Sequence, residues 1–136
     1  MPTALPPRGR ALDSHTKALI AARAALDKQA EDIVILDLRT LSTVTDFFIL
    51  CTAGSAPQVN AISDSLDSVL SKHGCPVWHV EGVPVSGRAA PLGAAAQWVL
   101  MDCGDVVVHL FDQRARAFYR LEDLWADAPR VSLPAG

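Results

Sequence analysis

The sequence predicts one α/β or α+β domain in which about five strands are flanked by helices. Two short runs, 33–38 and 47–52, are almost wholly apolar and rich in β-branched or aromatic residues. Runs of this kind are too short for helices and are typical of interior strands covered on both faces, which requires helices on the sheet. The 136 residues fit one domain with an adequate core. We place it at 12–133, after an arm (1–11) and before a tail (134–136).

A first helix is expected from Asp13 or Ser14, either of which could cap it, to about Ala30. Its apolar residues recur at helical spacing, and the leucines at 12, 19 and 26 form a stripe that we expect to pack on the sheet. A second helix is predicted over 58–72. Ser55 is its candidate cap, Pro57 fits its first turn and Gly74 follows its end.

The remaining strands are expected at 76–80, 98–102 and 106–111, and the last two form a hairpin. Gly104 supplies the positive φ that its tight turn needs. Residues 82–97 contain three glycines and two prolines and no periodicity, which predicts a long exposed loop. After the hairpin, apolar residues recur at helical spacing and predict a segment that packs back over the sheet, namely Phe118, Leu121, Leu124 and Trp125.

Charge is unevenly distributed along the chain. Residues 31–136 carry seven basic and thirteen acidic side chains, a net of 7 − 13 = −6. An acidic body repels phosphate backbones and favours a protein partner over bare nucleic acid. No apolar run is long enough to span a bilayer, and the first ten residues lack the apolar core of a signal peptide, so a cytoplasmic location is expected. Three cysteines without a Cys-x-x-Cys spacing predict free, mostly buried thiols.

An enzymatic interpretation starts from the Gly54-Ser55 corner. A strand, a glycine turn and a helix N-terminus resemble the phosphate-holding corner of nucleotidyltransferases. Such enzymes also need paired carboxylates on a neighbouring strand to hold magnesium, and no predicted strand contains Asp-x-Asp or Asp-x-Glu. We therefore interpret the corner as a turn and cap, and retain a nucleotide-binding or nucleotidyltransferase-like enzyme as the alternative.

Metal binding and nucleophilic catalysis have weaker support. Cys75 and His79 could join Cys103 or His109 as soft ligands, but no full set of four is evident. No local motif singles out a nucleophile either. We expect no cofactor, no metal and no enzymatic activity, and we interpret His109 as a core or partner-facing histidine.

The hairpin carries the candidate interface. Trp98, Leu100 and Asp102 share one face of their strand because side chains alternate. Asp102 and Asp105 bracket the turn, where aspartate commonly accepts backbone hydrogen bonds. An aromatic anchor beside carboxylates also has the composition of a protein interface.

Several blocks, in order along residues 13–133, closely resemble the ribosomal silencing factor family, also called the Iojap-like family. They are DIVILD (32–37), TDFF (45–48), GSxxQV (54–59), EG (81–82), WVLxDxGDVVVH (98–109) and FYxLExLWxDAP (118–129). Two departures are a longer loop at 82–97 and Cys103, which stands where an aromatic residue is common. The second suggests a less bulky turn.

This resemblance implies a mixed sheet, in a fold related to nucleotidyltransferases but without their catalytic carboxylates. It also implies binding to the fourteenth protein of the large ribosomal subunit at the face that meets the small subunit. The bound protein would block subunit joining and repress translation, and members of the family are often dimeric off the ribosome. The longer loop at 82–97 could touch neighbouring rRNA through Arg88 or make no contact. Trp98 matches the family's tryptophan at the partner-facing surface, and Glu81, Asp102, Gly104 and Asp105 match motif positions. Together with Leu100, which shares a strand face with Trp98, they are the candidate partner-binding residues.

Overall fold

The computed structural model describes residues 13–77, 79–81 and 98–133. The predicted arm, the loop at 82–97 and the tail at 134–136 lie outside these residues. In chain order the elements are α1 Ser14–Asp27, β1 Glu31–Asp37, β2 Phe47–Ala53, α2 Ala56–Lys72, β3 His79–Glu81, β4 Trp98–Asp102, β5 Val106–Asp112, α3 Gln113–Tyr119, α4 Leu121–Leu124 and β6 Arg130–Val131.

The strands form one mixed sheet in the order β3-β4-β5-β2-β1-β6. Strands β2 and β5 run parallel at its centre, and every other pair of neighbours is antiparallel. The predicted fold class is confirmed. The sheet gains a sixth strand that we did not predict, because the two residues of β6 are too few to show any periodicity. Strand β3 begins at His79, later than the predicted start at 76.

Helices α1 and α2 cover one face of the sheet. The buried residues of α1 are all alanines, namely Ala18, Ala21, Ala22, Ala24 and Ala25. Leu19 packs beside this core, whereas Leu26 remains 40% exposed. The predicted leucine stripe was therefore wrong at Leu26. Small alanines let α1 approach its neighbours closely, and the Ser65 hydroxyl of α2 lies 3.5 Å from the backbone oxygen of Ala24.

Both helices have capped N-termini. The Asp13 side chain accepts a hydrogen bond from the Thr16 N–H at 2.7 Å, which identifies Asp13 rather than Ser14 as the cap of α1. This bond lowers the pKa of the Asp13 carboxyl, because it favours the charged form. Ser55 caps α2 as predicted, with Pro57 in the first turn, and Gly74 follows the helix with a φ of 75°.

The opposite face of the sheet is covered by the C-terminal segment in part only. Leu121 of α4 is buried against this face and Trp125 packs beside it, whereas Leu124 is 76% exposed. The predicted return of the chain over the sheet is thus confirmed for Leu121 and Trp125 and wrong for Leu124, while the side chain of Phe118 lies outside the described part of the chain. All three cysteines are free and buried, as predicted. Within the described residues, no helix has the length and apolar character needed to cross a bilayer.

Candidate functional site

The part of the second face that α3 and α4 leave open forms a groove of about 590 Å³. Its floor is the sheet, and its walls come from the loop before β2, the β4–β5 turn and the segment after α4. The lining residues are Ser42, Val44, Thr45, Phe48, Leu100, Asp102, Gly104, Val107, His109 and Trp125. Asp102 is the only charged side chain among them, so the groove is largely apolar with one carboxylate at its edge.

The antiparallel register of β4 and β5 builds the floor. In this register Trp98 pairs with Phe111, Leu100 with His109 and Asp102 with Val107. Paired residues in such a ladder point to the same side of the sheet. The predicted sharing of one face by Trp98, Leu100 and Asp102 is therefore confirmed. Two of them line the groove directly, and Trp98 packs on the same face with its ring stacked on Phe111 at 5.4 Å.

The β4–β5 turn fixes the acidic edge of the groove. Gly104 has a φ of 92°, which confirms the predicted need for glycine. Its N–H donates to the Asp102 carboxylate at 2.8 Å, so Asp102 has the expected turn role while it lines the groove. Cys103 points away from the groove into the helix-covered core, where burial raises the pKa of its thiol to about 12.

Asp105 has a different environment from Asp102. Its carboxylate accepts from Lys17 Nζ of α1 at 2.5 Å, and the same ammonium donates to the backbone oxygen of Cys103 at 3.2 Å. The backbone oxygen of Asp105 accepts from the N–H groups of Asp46 and Phe47. Asp105 thus anchors the turn to α1 and β2 and does not line the groove. Glu81, the remaining predicted residue, pairs with Leu100 in the β3–β4 ladder.

His109 is a buried polar residue of the groove floor. Its Nδ1 accepts a hydrogen bond from the Trp98 indole N–H at 3.1 Å, and the Phe48 ring packs edge-on at 4.4 Å. Desolvation lowers the pKa of the imidazole to about 4, so the ring is neutral at pH 7. Its Nε2 is buried and has no hydrogen-bond partner among the described residues, and the same holds for Thr45 Oγ1.

Val107 and His109 of the hairpin line the groove but were not among the predicted partner-binding residues, and neither were five lining residues outside the hairpin: Ser42, Val44, Thr45, Phe48 and Trp125. These five come from the loop before β2, from β2 itself and from the segment after α4, and only the folded sheet brings them to the hairpin. Val44 carries the one signal that could have found it, an apolar side chain in a polar turn, and it is 86% exposed.

The Gly54-Ser55 corner is occupied by the protein's own Gln58. The Gly54 N–H donates to Gln58 Oε1 at 2.5 Å. The side-chain nitrogen of Gln58, Nε2, donates to the backbone oxygens of Lys28 and Gln29. Ser55 accepts from the Gln58 N–H as the helix cap. The side-chain amide oxygen thus sits where a phosphate oxygen would lie in an anion-binding corner. This geometry supports the interpretation of the corner as a turn and cap.

The other candidate chemistries gain no support from the described residues. Those residues contain no group of three or more His, Cys, Asp or Glu side chains placed to hold a metal. Burial raises the pKa of the Cys51 thiol to about 12, as it does for Cys103, so both are protonated at neutral pH. A protonated, buried thiol is a poor nucleophile.

The fold and the groove define a small α/β domain whose candidate site is an open, apolar sheet face. Residues 11–135 match the family described as "Ribosomal silencing factor during starvation". A relative from Bacillus subtilis, named ribosomal silencing factor RsfS, is 42% identical over 117 residues, 86% of this chain and 91% of the relative. One from Halalkalibacterium halodurans with the same name is 41% identical over 114 residues, 84% and 89% of the two chains.

Solved structures agree with this match. A crystal structure of a protein from Chromobacterium violaceum superposes with a TM-score of 0.73 at 30% identity, covering 92% of this chain and 95% of that chain. A Bacillus halodurans crystal structure gives 0.64 at 38% identity, over 84% and 94%. The chain belongs to the ribosomal silencing factor family.

Proposed function

We propose that this protein binds the large ribosomal subunit through its fourteenth protein and blocks association with the small subunit, which represses translation. The observation that carries the proposal is the groove, an open apolar surface with one carboxylate on an acidic domain. Proteins that bind rRNA are typically basic, so an acidic surface is complementary to them. We infer a cytoplasmic location for this activity.

The mechanism is steric and involves no reaction. The domain docks with its groove on the ribosomal protein and occupies space that the small subunit needs. Trp98, Leu100 and the aliphatic floor supply the apolar contact, and Asp102 orients the partner and raises the association rate. Asp105 and Gly104 act by holding the turn in place, and Glu81 lies at the outer edge beside Leu100.

The test is a sucrose gradient of purified subunits under joining conditions, with and without the protein. We expect separate subunits to persist when the protein is present, and the protein to sediment with the large subunit. Rapid joining at saturating protein would contradict the proposal.

Two variants locate the binding surface. Trp98→Ala should leave the domain folded but abolish co-sedimentation with the large subunit. Because Trp98 also packs on Phe111, Leu100→Lys provides a second test, since it places a cation at a partly buried position that lines the groove. The matched control is Leu26→Lys on α1, outside the groove, which should bind like wild type. Unchanged binding by both groove variants would refute this location.

The family resemblance also suggests a homodimer when the protein is off the ribosome. Light scattering coupled to size-exclusion chromatography, at concentrations above and below the cellular range, would give the oligomeric state directly. A monomer throughout would refute this part of the proposal and leave ribosome binding unaffected.

A further inference from the structure

Two buried polar atoms of the groove have no hydrogen-bond partner among the described residues: Thr45 Oγ1 and His109 Nε2. The two residues are 6% and 3% exposed, and both line the same groove. Buried polar atoms are almost always hydrogen-bonded, because an unsatisfied one loses its hydrogen bonds to water without compensation. Their occurrence together in the open groove indicates that something bound there completes them.

The Trp98 hydrogen bond determines what His109 offers. An indole N–H can only donate, so the Nδ1 atom that receives it at 3.1 Å must carry a lone pair. A neutral imidazole with an unprotonated Nδ1 carries its proton on Nε2. The unsatisfied atom is therefore an N–H donor that lacks an acceptor.

The lining of the groove restricts the chemistry of that acceptor. Asp102 is the only charged side chain there, so a partner carboxylate would meet a like charge and find no cation. An inserted backbone segment would bury further N–H and C=O groups on the sheet face, where the strands' own groups pair in the ladders. An uncharged oxygen on a side chain avoids both penalties.

We propose that the bound protein partner places an uncharged side-chain oxygen, from an amide or hydroxyl group, against His109 Nε2–H, and a second polar group against Thr45 Oγ1. This inference rests on the proposed function and specifies the polar contacts within it. Both atoms are buried in the free protein, so a partner reaches them only when a neighbouring side chain rotates. The polar contacts thus select a partner that can enter the groove as well as cover it.

Three variants separate hydrogen bonding from shape. Thr45→Val removes the hydroxyl at nearly constant volume, and His109→Phe removes both ring nitrogens but keeps a ring. His109→Gln keeps a donor near the position of Nε2. Each is measured for its Kd on purified large subunits and for Tm as the free protein.

The expected signature is opposite changes in stability and binding. Thr45→Val should raise the Tm of the free protein, because it removes an unsatisfied group, and weaken binding about tenfold. His109→Phe should weaken binding at least as much, while His109→Gln retains more affinity than His109→Phe. A purely structural role would change Tm and affinity in the same direction.

Nitrogen-15 NMR of the His109 ring in the free protein tests the tautomer independently of the ribosome. We expect a proton on Nε2 and a lone pair on Nδ1, as the hydrogen bond from the Trp98 indole N–H requires. A proton on Nδ1 in the free protein would overturn the inference, as would wild-type affinity of both Thr45→Val and His109→Phe. If the wild-type protein does not bind large subunits at all, the proposed function fails instead.

Discussion

The Trp98 indole N–H donates to His109 Nδ1 at 3.1 Å, between the neighbouring strands β4 and β5. Trp98 is thus part of the candidate surface and also holds the orientation of a buried ring in the groove floor. Trp98→Ala changes both the apolar surface and the hydrogen bonding of His109. Trp98→Phe, which keeps a ring but loses the N–H, separates the two roles.

The depressed pKa of His109 predicts acid lability. Its folded-state pKa of about 4 lies below the ordinary value of 6.5, so the unfolded state binds more protons between these values. The contribution of the neutral His109 ring to the free energy of unfolding is therefore fully present above about pH 6.5. It decreases as the pH falls towards 4, by about 2–4 kcal/mol in total. Urea denaturation of wild type and His109→Phe across this range measures the difference.

The free energy of unfolding of wild type minus that of His109→Phe should decrease steadily from pH 6.5 to 4. His73, an exposed histidine at the end of α2, provides the control. His73→Asn should follow the wild-type pH dependence. A constant difference between wild type and His109→Phe would show that the buried ring is protonated without cost.

Val44 is predicted to contribute to partner binding. It is 86% exposed at the groove wall, so Val44→Arg should not alter the free energy of unfolding by more than about 0.5 kcal/mol. A cation there should repel a basic partner and weaken large-subunit binding about tenfold. Leu124→Arg is the matched control, because Leu124 is similarly exposed but does not line the groove. Equal effects of the two variants would argue against the groove as the contact.

Gln58 is predicted to stabilise the junction of α1, β1 and α2. Its amide oxygen accepts from the Gly54 N–H, and its amide nitrogen donates to the backbone oxygens of Lys28 and Gln29. Gln58→Ala should lower the free energy of unfolding by about 1–2 kcal/mol, since three backbone groups lose a partner and regain only water. Gln58→Glu keeps an acceptor and loses the donors, so it should also destabilise. Ser68→Ala, at an exposed position of α2, should leave the free energy of unfolding unchanged. An unchanged free energy of unfolding for Gln58→Ala would contradict the prediction.

Arg116 is predicted to fasten α3 to the sheet. Its guanidinium donates to Thr52 Oγ1 at 2.8 Å, to the backbone oxygen of Asp32 at 2.9 Å and to Glu122. The bond from Arg116 lowers the pKa of the Glu122 carboxyl. Arg116→Lys should cost about 1–3 kcal/mol, because an ammonium cannot reproduce the planar set of donors.

The same substitution at Arg120 provides the comparison. Arg120 pairs with Asp123 three residues away, and both side chains are largely exposed. Arg120→Lys should therefore change the free energy of unfolding by less than about 0.5 kcal/mol. Equal losses at the two positions, measured by urea denaturation, would refute the special role of Arg116.

Local pattern was sufficient to predict most of the fold. The runs around Ile35 and Ile49 are apolar on both faces, and the structure places them as neighbouring interior strands. The hairpin followed from two apolar runs with Gly104 at the turn between them. The short strand β6 and the alanine-packed face of α1 did not follow, because the first has no period and the second depends on how closely α2 approaches.

The candidate site was predictable only where its residues are close to one another in the sequence. Alternation along β4 placed Trp98, Leu100 and Asp102 on one face, and the ladder confirms it. Asp105 was grouped with Asp102 because they are close in sequence, yet it pairs with Lys17 on the other side of the turn. No spacing rule joins Thr45 to His109 or Trp125, since their proximity is created by the sheet order. Their roles in binding remain predictions.

The ladder between β3 and β4 also affects how this chain can vary. Glu81 ends β3 and Trp98 begins β4, and the antiparallel pairing of Glu81 with Leu100 holds these two ends at the same margin of the sheet. The pairing of β3 with β4 therefore does not depend on one particular length of the connection between them. Each residue added to the connection raises the entropic cost of joining the two ends only slightly. Residues could be inserted or removed between 82 and 97, for instance to attach a fluorescent label, while the groove keeps its register.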